Sequence, residues 1–271
     1  MKNLIFAFLT TLSFNNVFSQ INAKIIYEPT ANGYQVYANN DEVCPVSLQI
    51  KFSLENLKNS AENTEVFVVP AKSKRHLIAE MTAISPNKGY KFAYKSINVL
   101  GDINITRYDS DFKYYLPYKK NEEYPIHQGY NGSFSHHGAN ALDFTMNVGT
   151  EVTAVRDGIV VKVENRHSIG CKEEKCKENN NYVLVYHSDG TFAEYTHIMK
   201  NGNLVKVGEA FNQGDVIAKS GNTGWSTGPH LHLVIYLQRI NKRETLPTQF
   251  LINNGKIAEQ LQEGKSYSRN Y

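Results

Sequence analysis

Five of the nine histidines fall at three places along the sequence, where metal binding or proton transfer is possible. His230 and His232 flank a single leucine, and residues i and i+2 of a β-strand point to the same face. Two imidazoles on one face can bind one metal ion, or one can bind the ion while the other transfers protons. A half-exposed strand face without chemistry is the alternative for this pair taken alone.

A second set of ligand types lies between Ser135 and Phe144. Leu142 and Phe144 are expected to face a core, which places Asp143 on the opposite face of a short strand. A carboxylate in that position needs a partner unless water solvates it. His, Asp and a distant His are a common ligand set for Zn²⁺, and three protein ligands leave a fourth position open for water. An Asp that caps a turn beside a surface His is the alternative.

Short strands separated by glycine turns must bring these side chains together. Few segments of the second half have a 3.6-residue period, which predicts an all-β domain. His197 directly follows a strand-like run, and on its own it would be interpreted as a surface residue. The predicted strands of this half are Glu151–Val155, Gly158–Val163, Tyr182–Tyr186, Thr191–Tyr195 and Leu231–Ile235.

The first half, residues 20–115, contains short β-like runs broken by polar turns, which predicts a small β-sandwich-like domain. His76 is isolated there and is interpreted as a surface or packing residue. We expect a linker over 116–123, a second domain over 124–253 and a loosely held polar tail over 254–271.

Composition excludes several classes of function. The 271 residues carry a formal charge of +3, from 29 Lys and Arg against 26 Asp and Glu, which is too balanced for nucleic acid as the main partner. No apolar run of about 18 residues follows residue 19, so no internal transmembrane helix is predicted. Residues 1–19 have a positive start, a short apolar core and small residues at the end, which is typical of an export signal. An uncleaved anchor helix is the alternative. The mature protein is therefore expected to be periplasmic or secreted.

Two of the three cysteines, Cys171 and Cys176, bracket a charged loop. In an oxidising compartment they could close a short disulfide, and free thiols or a soft-metal pair are the alternatives. Cys44 is then interpreted as a buried thiol.

Several of these segments together resemble the M23 zinc metallopeptidases, the LytM and lysostaphin group that cuts peptidoglycan cross-bridges. The resemblance covers about residues 125–236 in the order of the family's motifs. The segments that carry it are Ser220–Leu233, His136-x-Gly138 with Asp143-Phe144, Gly149–Gly158, Tyr195-Thr196-His197, Val205–Gly208 and Gln213–Ile217.

The resemblance implies an antiparallel LytM-like domain in which His136, Asp143 and His232 bind one Zn²⁺ per chain. It further implies that His197 and His230 are unliganded, transferring protons and opposing the oxyanion. The spacing from His136 to Asp143 is longer than usual in the family. The adjacent His137 is a competing ligand, and His136 is preferred because it keeps the His-x-Gly pattern.

The expected function is that of an exported zinc metalloendopeptidase, which hydrolyses peptide cross-links of peptidoglycan by means of a metal-activated water. The alternatives are a non-catalytic LytM-like regulator of wall hydrolysis and a peptidase that its own N-terminal domain holds inactive. Tyr195 and Trp225 are candidate groove residues, with packing as the alternative for each. The insert bracketed by Cys171 and Cys176 is expected beside the cleft, where it would alter substrate access.

Overall fold

The computed structural model describes residues 21–61 and 64–271, so the predicted export signal lies outside the described residues. The regular secondary structure of the described residues is almost entirely β-strand, as predicted. It divides into two compact units: the first ends at Ile103, and the second comprises Asn104–Tyr271. Among the described residues, no helix has the length and hydropathy of a membrane span.

Two antiparallel sheets build the first unit, in the strand orders β1-β2-β6-β4 and β5-β3-β7. This two-sheet arrangement agrees with the predicted β-sandwich-like domain. The described strands of this unit are β1 (Ala23–Thr30), β2 (Gly33–Asn40), β3 (Val46–Glu55), β4 (Leu57–Asn59), β5 (Val66–Val69), β6 (His76–Ala83) and β7 (Lys91–Leu100).

A tight turn at Asn32-Gly33 connects β1 to β2, because Thr30 pairs with Gly33 across a two-residue loop. Glycine is also required there by close packing: a Cβ on Gly33 would lie 1.9 Å from the backbone oxygen of Met81 on β6. The alternating side chains Val36 and Ala38 of β2 are fully buried, which gives this hairpin its inward face.

The second unit contains the remaining strands and one short 3₁₀ helix, Glu174–Asn179. Its strands are β8 (Lys113–Tyr114), β9 (Glu122–Gln128), β10 (Ala141–Thr145), β11 (Glu151–Thr153), β12 (Gly158–Glu164), β13 (Gly170–Cys171), β14 (Tyr182–Tyr186), β15 (Phe192–Thr196), β16 (Ile198–Asn203), β17 (Ala210–Phe211), β18 (Val216–Ser220), β19 (Gly224–Trp225), β20 (His230–Gln238), β21 (Arg243–Thr245), β22 (Gln249–Ile252), β23 (Ile257–Glu259) and β24 (Ser266–Arg269).

A large antiparallel sheet dominates this unit, with the strand order β17-β12-β14-β15-β20-β10-β9-β24 and β21 beside β20. The long strand β20 lies at its centre between β15 and β10. Leu231 and Leu233 of β20 join Phe144 and Tyr195 in the buried core on one face. Because strand side chains alternate, His230 and His232 project from the opposite face.

The observed boundary of the second unit differs from the predicted one. Leu116 and Tyr118 of the predicted linker are fully buried in the core of this unit. The predicted loose tail contains β24, which pairs with β9, and Arg269 donates a hydrogen bond to the Tyr118 oxygen at 2.6 Å. The polar composition of residues 254–271 wrongly indicated a loosely held tail, because an edge strand is held by its backbone hydrogen bonds and by a few buried side chains.

Candidate metal and proton-transfer site

Strand register brings two of the three predicted ligands, Asp143 and His232, together. Asp143 on β10 pairs directly with His232 on β20, and His232 pairs on its other side with Thr196 at the end of β15. Directly opposite residues of antiparallel strands have Cβ atoms about 4.5–5.5 Å apart, so their side chains meet. His197 follows Thr196 directly, so it lies just beyond the end of β15, close to the strand pairing that involves His232.

His136 completes this group from the loop that precedes β10. Its Nε2 lies 3.2 Å from Nδ1 of His232 and 3.4 Å from Oδ1 of Asp143, and His232 Nδ1 lies 2.8 Å from the same oxygen. Among the described residues, these three side chains form a possible metal-binding group whose ligand atoms all lie within 4.8 Å of one another. The neighbouring His137 is exposed, whereas His136 is 1% exposed.

The geometry and chemistry of the three donors fit a zinc ion. Zinc binds imidazole nitrogen and carboxylate oxygen at about 2.0–2.2 Å, so neighbouring ligand atoms of a tetrahedral site lie about 3.3 Å apart. Two of the three observed separations are close to this value, and the third, between His232 and Asp143, is shorter. Three ligands also leave a fourth tetrahedral position, as in catalytic rather than structural zinc sites.

Two outer partners orient the candidate ligands. Nδ1 of His136 donates to the Gly129 oxygen at 2.9 Å, which leaves a lone pair on Nε2 in the neutral ring. Gln128 donates from Nε2 to Oδ2 of Asp143 at 3.0 Å, so Oδ1 remains directed at the two imidazoles. Gln128 was not predicted from the sequence. It lies where the β9–β10 register shifts, and bulges of this kind redirect side chains beside functional sites.

Charge favours the metal-binding form of Asp143. Burial acts to raise the pKa of this carboxyl, but hydrogen bonds from His136 and His232 hold it well below its usual range. Burial likewise acts to lower the pKa of His136, and the hydrogen bond with Asp143 outweighs it, so the net pKa is raised. Asp143 is therefore ionised, which is the form that a carboxylate needs to bind a metal ion.

His197 and His230 lie beside the ligand group. Their ring centroids are 4.5 Å apart, and the ring of His197 lies 6.0 Å from that of His232. Nδ1 of His197 donates to the Thr223 oxygen at 2.6 Å, and Nδ1 of His230 donates to the Gly228 oxygen at 2.8 Å. With the proton on Nδ1, Nε2 of each neutral ring is an acceptor.

Burial keeps both of these rings uncharged near neutral pH. The pKa of His197 is lowered to about 3, mainly by burial and also by the nearby imidazoles of His230 and His232. Burial also lowers the pKa of His230, against the opposing charge of Asp143. Two neutral imidazoles beside a metal-binding group can accept protons from a reacting water.

The other predicted residues lie in different surroundings. Tyr195 is fully buried and its hydroxyl accepts a hydrogen bond from the Val155 amide at 2.9 Å, so it packs in the core rather than lining a groove. Trp225 is partly exposed and donates to the Lys172 oxygen at 3.1 Å. A disulfide joins Cys171 to Cys176, and Cys44 is buried in the first unit.

Comparison with known families identifies this part of the chain. The model of peptidase family M23 matches residues 137–245, which include Asp143, His197, His230 and His232, while His136 lies one residue before the match. The chain contains an M23 peptidase domain. The predicted family resemblance is thereby confirmed for the domain, and the five site residues lie in it or at its edge.

Relatives of the M23 domain carry peptidase names. This chain is 40% identical over 93 residues to peptidoglycan DD-endopeptidase ShyA of Vibrio cholerae, covering 34% of this chain and 19% of that protein. It is 40% identical over 117 residues to glycyl-glycine endopeptidase ALE-1 of Staphylococcus capitis, covering 42% and 28%. The chain thus spans less than a third of the length of these relatives.

Solved structures also align with parts of this chain. Lysostaphin from Staphylococcus simulans aligns with 30% identity and a TM-score of 0.35, over 45% of this chain and 47% of that chain. A zinc-containing peptidase from Vibrio cholerae aligns with 17% identity and a TM-score of 0.37, over 79% of this chain and 77% of that chain.

Proposed function

We propose that this protein is an exported zinc-dependent endopeptidase that hydrolyses peptide cross-links of peptidoglycan. The observation that carries the proposal is the convergence of His136, Asp143 and His232 beside two neutral imidazoles. That arrangement supplies an anionic ligand, two nitrogen ligands and separate proton acceptors, which are the parts that metal-assisted hydrolysis of a peptide bond requires.

The substrate class is proposed from the relatives of the M23 domain. Three of them, all from Vibrio cholerae, are named peptidoglycan DD-endopeptidases, and one from Staphylococcus capitis is named a glycyl-glycine endopeptidase. Hydrolysis of a peptide bond is common to these names. For this chain we propose a peptide cross-link of peptidoglycan, and the D-alanyl and glycyl bond types are outcomes for the experiment to distinguish.

The chain's own residues supply the proton transfers. When bound, a zinc ion supplies Lewis acidity and brings the pKa of water towards about 7. Nε2 of either His197 or His230 accepts a proton from the attacking water, which converts that ring to an imidazolium. A hydrogen bond from Nε2 to the developing oxyanion also requires the charged ring, because Nδ1 already carries the proton of each neutral ring. Loss of one such donor typically slows acyl transfer by about 10²–10³.

An enzyme is favoured over a non-catalytic regulator because all five side chains are present in one place. A regulator on this fold would not need both a ligand group and two neutral imidazoles at its edge. Export is supported by the composition of residues 1–19 and by the Cys171–Cys176 disulfide, since disulfides persist in oxidising compartments.

The test is digestion of purified peptidoglycan by the mature protein, with mass spectrometry of the released muropeptides. Two wall preparations, one with direct D-alanyl cross-links and one with glycyl bridges, would distinguish the bond types. We expect new free amino and carboxyl ends at a cross-link in one preparation, and no release after chelation or in the His232→Ala variant. Release that persists in that variant, or no release from either wall by zinc-loaded protein, would overturn the proposal.

A further inference from the structure

A disulfide-closed part of the second unit contacts the chain that leads into β20. We name residues 166–181 the disulfide segment. Its strand β13 pairs in parallel with β19, so that Gly170 lies beside Gly224 and Cys171 beside Trp225. The Cys171 oxygen accepts a hydrogen bond from the Ser226 amide at 3.0 Å.

This contact continues to His230. The side chain of Ser226 is buried, and its Oγ lies 3.2 Å from Nδ1 of His230 and 2.8 Å from the Gly228 oxygen. That same oxygen accepts the hydrogen bond from the His230 ring. Cys171 therefore fixes Ser226, and Ser226 and Gly228 together set the orientation of the imidazole.

The other end of the disulfide segment contacts His197. The backbone amide of His197 donates to Oδ1 of Asn180 at 3.2 Å, and the Asn181 amide donates to Oγ1 of Thr223 at 3.1 Å. Thr223 is the residue whose backbone oxygen accepts from the His197 ring. His197 has φ of +65°, a left-handed conformation that non-glycine residues adopt only when their surroundings hold them there.

The disulfide connects these two ends. Cys171 lies on β13, and Cys176 is 5% exposed within the 3₁₀ helix that leads to Asn180. The bond therefore ties the part that fixes Ser226 to the part that fixes the His197 backbone. The metal-ligand group has different supports, since Gly129 and Gln128 orient His136 and Asp143.

We propose that the disulfide segment is a positioning element that holds the imidazoles of His197 and His230 in their reactive orientation, with Asn180 as its direct contact to His197. The inference rests on the proposed function, in which these two rings transfer protons. It assigns to the disulfide and Asn180 a role in turnover that is separate from metal binding.

The first experiment compares the Cys171→Ser/Cys176→Ser variant with the unmodified protein in muropeptide release. Small displacements of a reacting group can cost about 10²-fold in rate, so we expect kcat to fall about 10- to 100-fold with KM and zinc content unchanged. Lys175→Ala is the matched control, because Lys175 lies in the same loop, is exposed and contacts Glu173. Its kcat should stay at the unmodified value.

A conservative pair at Asn180 keeps the inference falsifiable if the cysteine variant does not fold. Asn180→Ala removes the acceptor for the His197 amide, and we expect kcat about 3- to 10-fold lower, the range of one neutral hydrogen bond. Asn180→Asp keeps an acceptor oxygen and should restore most of the lost rate. Equal rates in all three proteins would overturn the role of Asn180.

Hydrogen exchange gives a readout that does not depend on activity. In both zinc-free and zinc-loaded protein, we expect the cysteine variant to exchange faster over 195–199 and 221–230, with no change over 141–145. Unchanged exchange together with unchanged kcat would overturn the inference. If the unmodified protein releases no muropeptides, the proposed function fails, and the exchange result still decides whether the segment orients the two histidines.

Discussion

The two groups of the site are positioned in different ways. Asp143 and His232 face each other from paired strands of a central sheet, so their separation is set by backbone register. His197 instead follows the end of a strand in a left-handed conformation, and the ring of His230 is bonded to the loop before β20. The difference teaches that two of the three proposed metal ligands are held by strand register, whereas the proposed proton-transfer pair depends on local loop contacts.

The largest effect is expected from removing a ligand. His232→Ala deletes one of three donors at the centre of the sheet, and we expect loss of stoichiometric zinc and of all muropeptide release. Metal analysis of the purified variant, with circular dichroism to confirm the fold, measures this. His137→Ala is the matched control, because that ring is exposed and should leave both properties unchanged. Zinc retained by His232→Ala would contradict the ligand assignment.

The unliganded pair should separate catalysis from metal binding. We expect His197→Ala and His230→Ala each to bind one zinc, while kcat falls by about 10²–10⁴, the range for loss of a positioned acid or base. Zinc content and kcat measured on the same preparation test this. Loss of zinc in either variant would break the distinction between the two groups.

A buried histidine outside the site provides a reference for the effect of burial. His187 is fully buried, and its Nδ1 donates to the backbone oxygen of Asp157 at 2.7 Å. Burial lowers the pKa of His187 to about 4. Between pH 6.5 and pH 4 the unfolded chain binds a proton at His187 that the folded chain does not bind. The free energy of unfolding is therefore highest above pH 6.5 and decreases as pH falls towards 4. The loss amounts to about 3 kcal/mol.

Unfolding at several pH values checks this effect. The His187→Gln variant lacks the titrating ring, so its free energy of unfolding should change less between pH 7 and pH 4 than that of the unmodified protein. Parallel pH profiles for the two proteins would contradict the assignment. The measurement is made on zinc-free protein, because ligand protonation would otherwise add its own pH dependence.

The smallest effect is expected at the outer partner of Asp143. Gln128→Leu removes the hydrogen bond to Oδ2 but no ligand, and such changes typically weaken metal affinity by about 10- to 100-fold. Competition with a zinc chelator measures the affinity. Gln35→Leu is the control, since Gln35 pairs with Glu80 at an exposed position of the first unit. Equal affinities would mean that Asp143 is held by the sheet alone.

Much of the fold follows from local sequence patterns. Alternating side chains predicted that His230 and His232 share one face of a strand, and Tyr182–Tyr186 was predicted as a strand with the bounds that are observed. The ends of the second unit were harder to predict, because Tyr118 and the β24 strand are buried by partners distant in sequence. Polar composition alone carries no information about such long-range pairing.

The site shows the same limit. The type and spacing of His230 and His232 indicated a shared face, and the flanking core residues indicated Asp143. Family resemblance then assigned the roles of His136, Asp143 and His197. Gln128 was missed because its role arises from a register shift between β9 and β10. Asn180 was missed because its contact with His197 depends on how the disulfide-closed loop folds back, which no local pattern specifies.

Anomalous diffraction at the zinc absorption edge, on crystals of the purified mature protein, tests the central claim most directly. The account predicts one zinc peak per chain, within bonding distance of His136 Nε2, His232 Nδ1 and a carboxylate oxygen of Asp143. A peak bound instead by His137, or no peak between these three side chains in zinc-loaded protein, would contradict it.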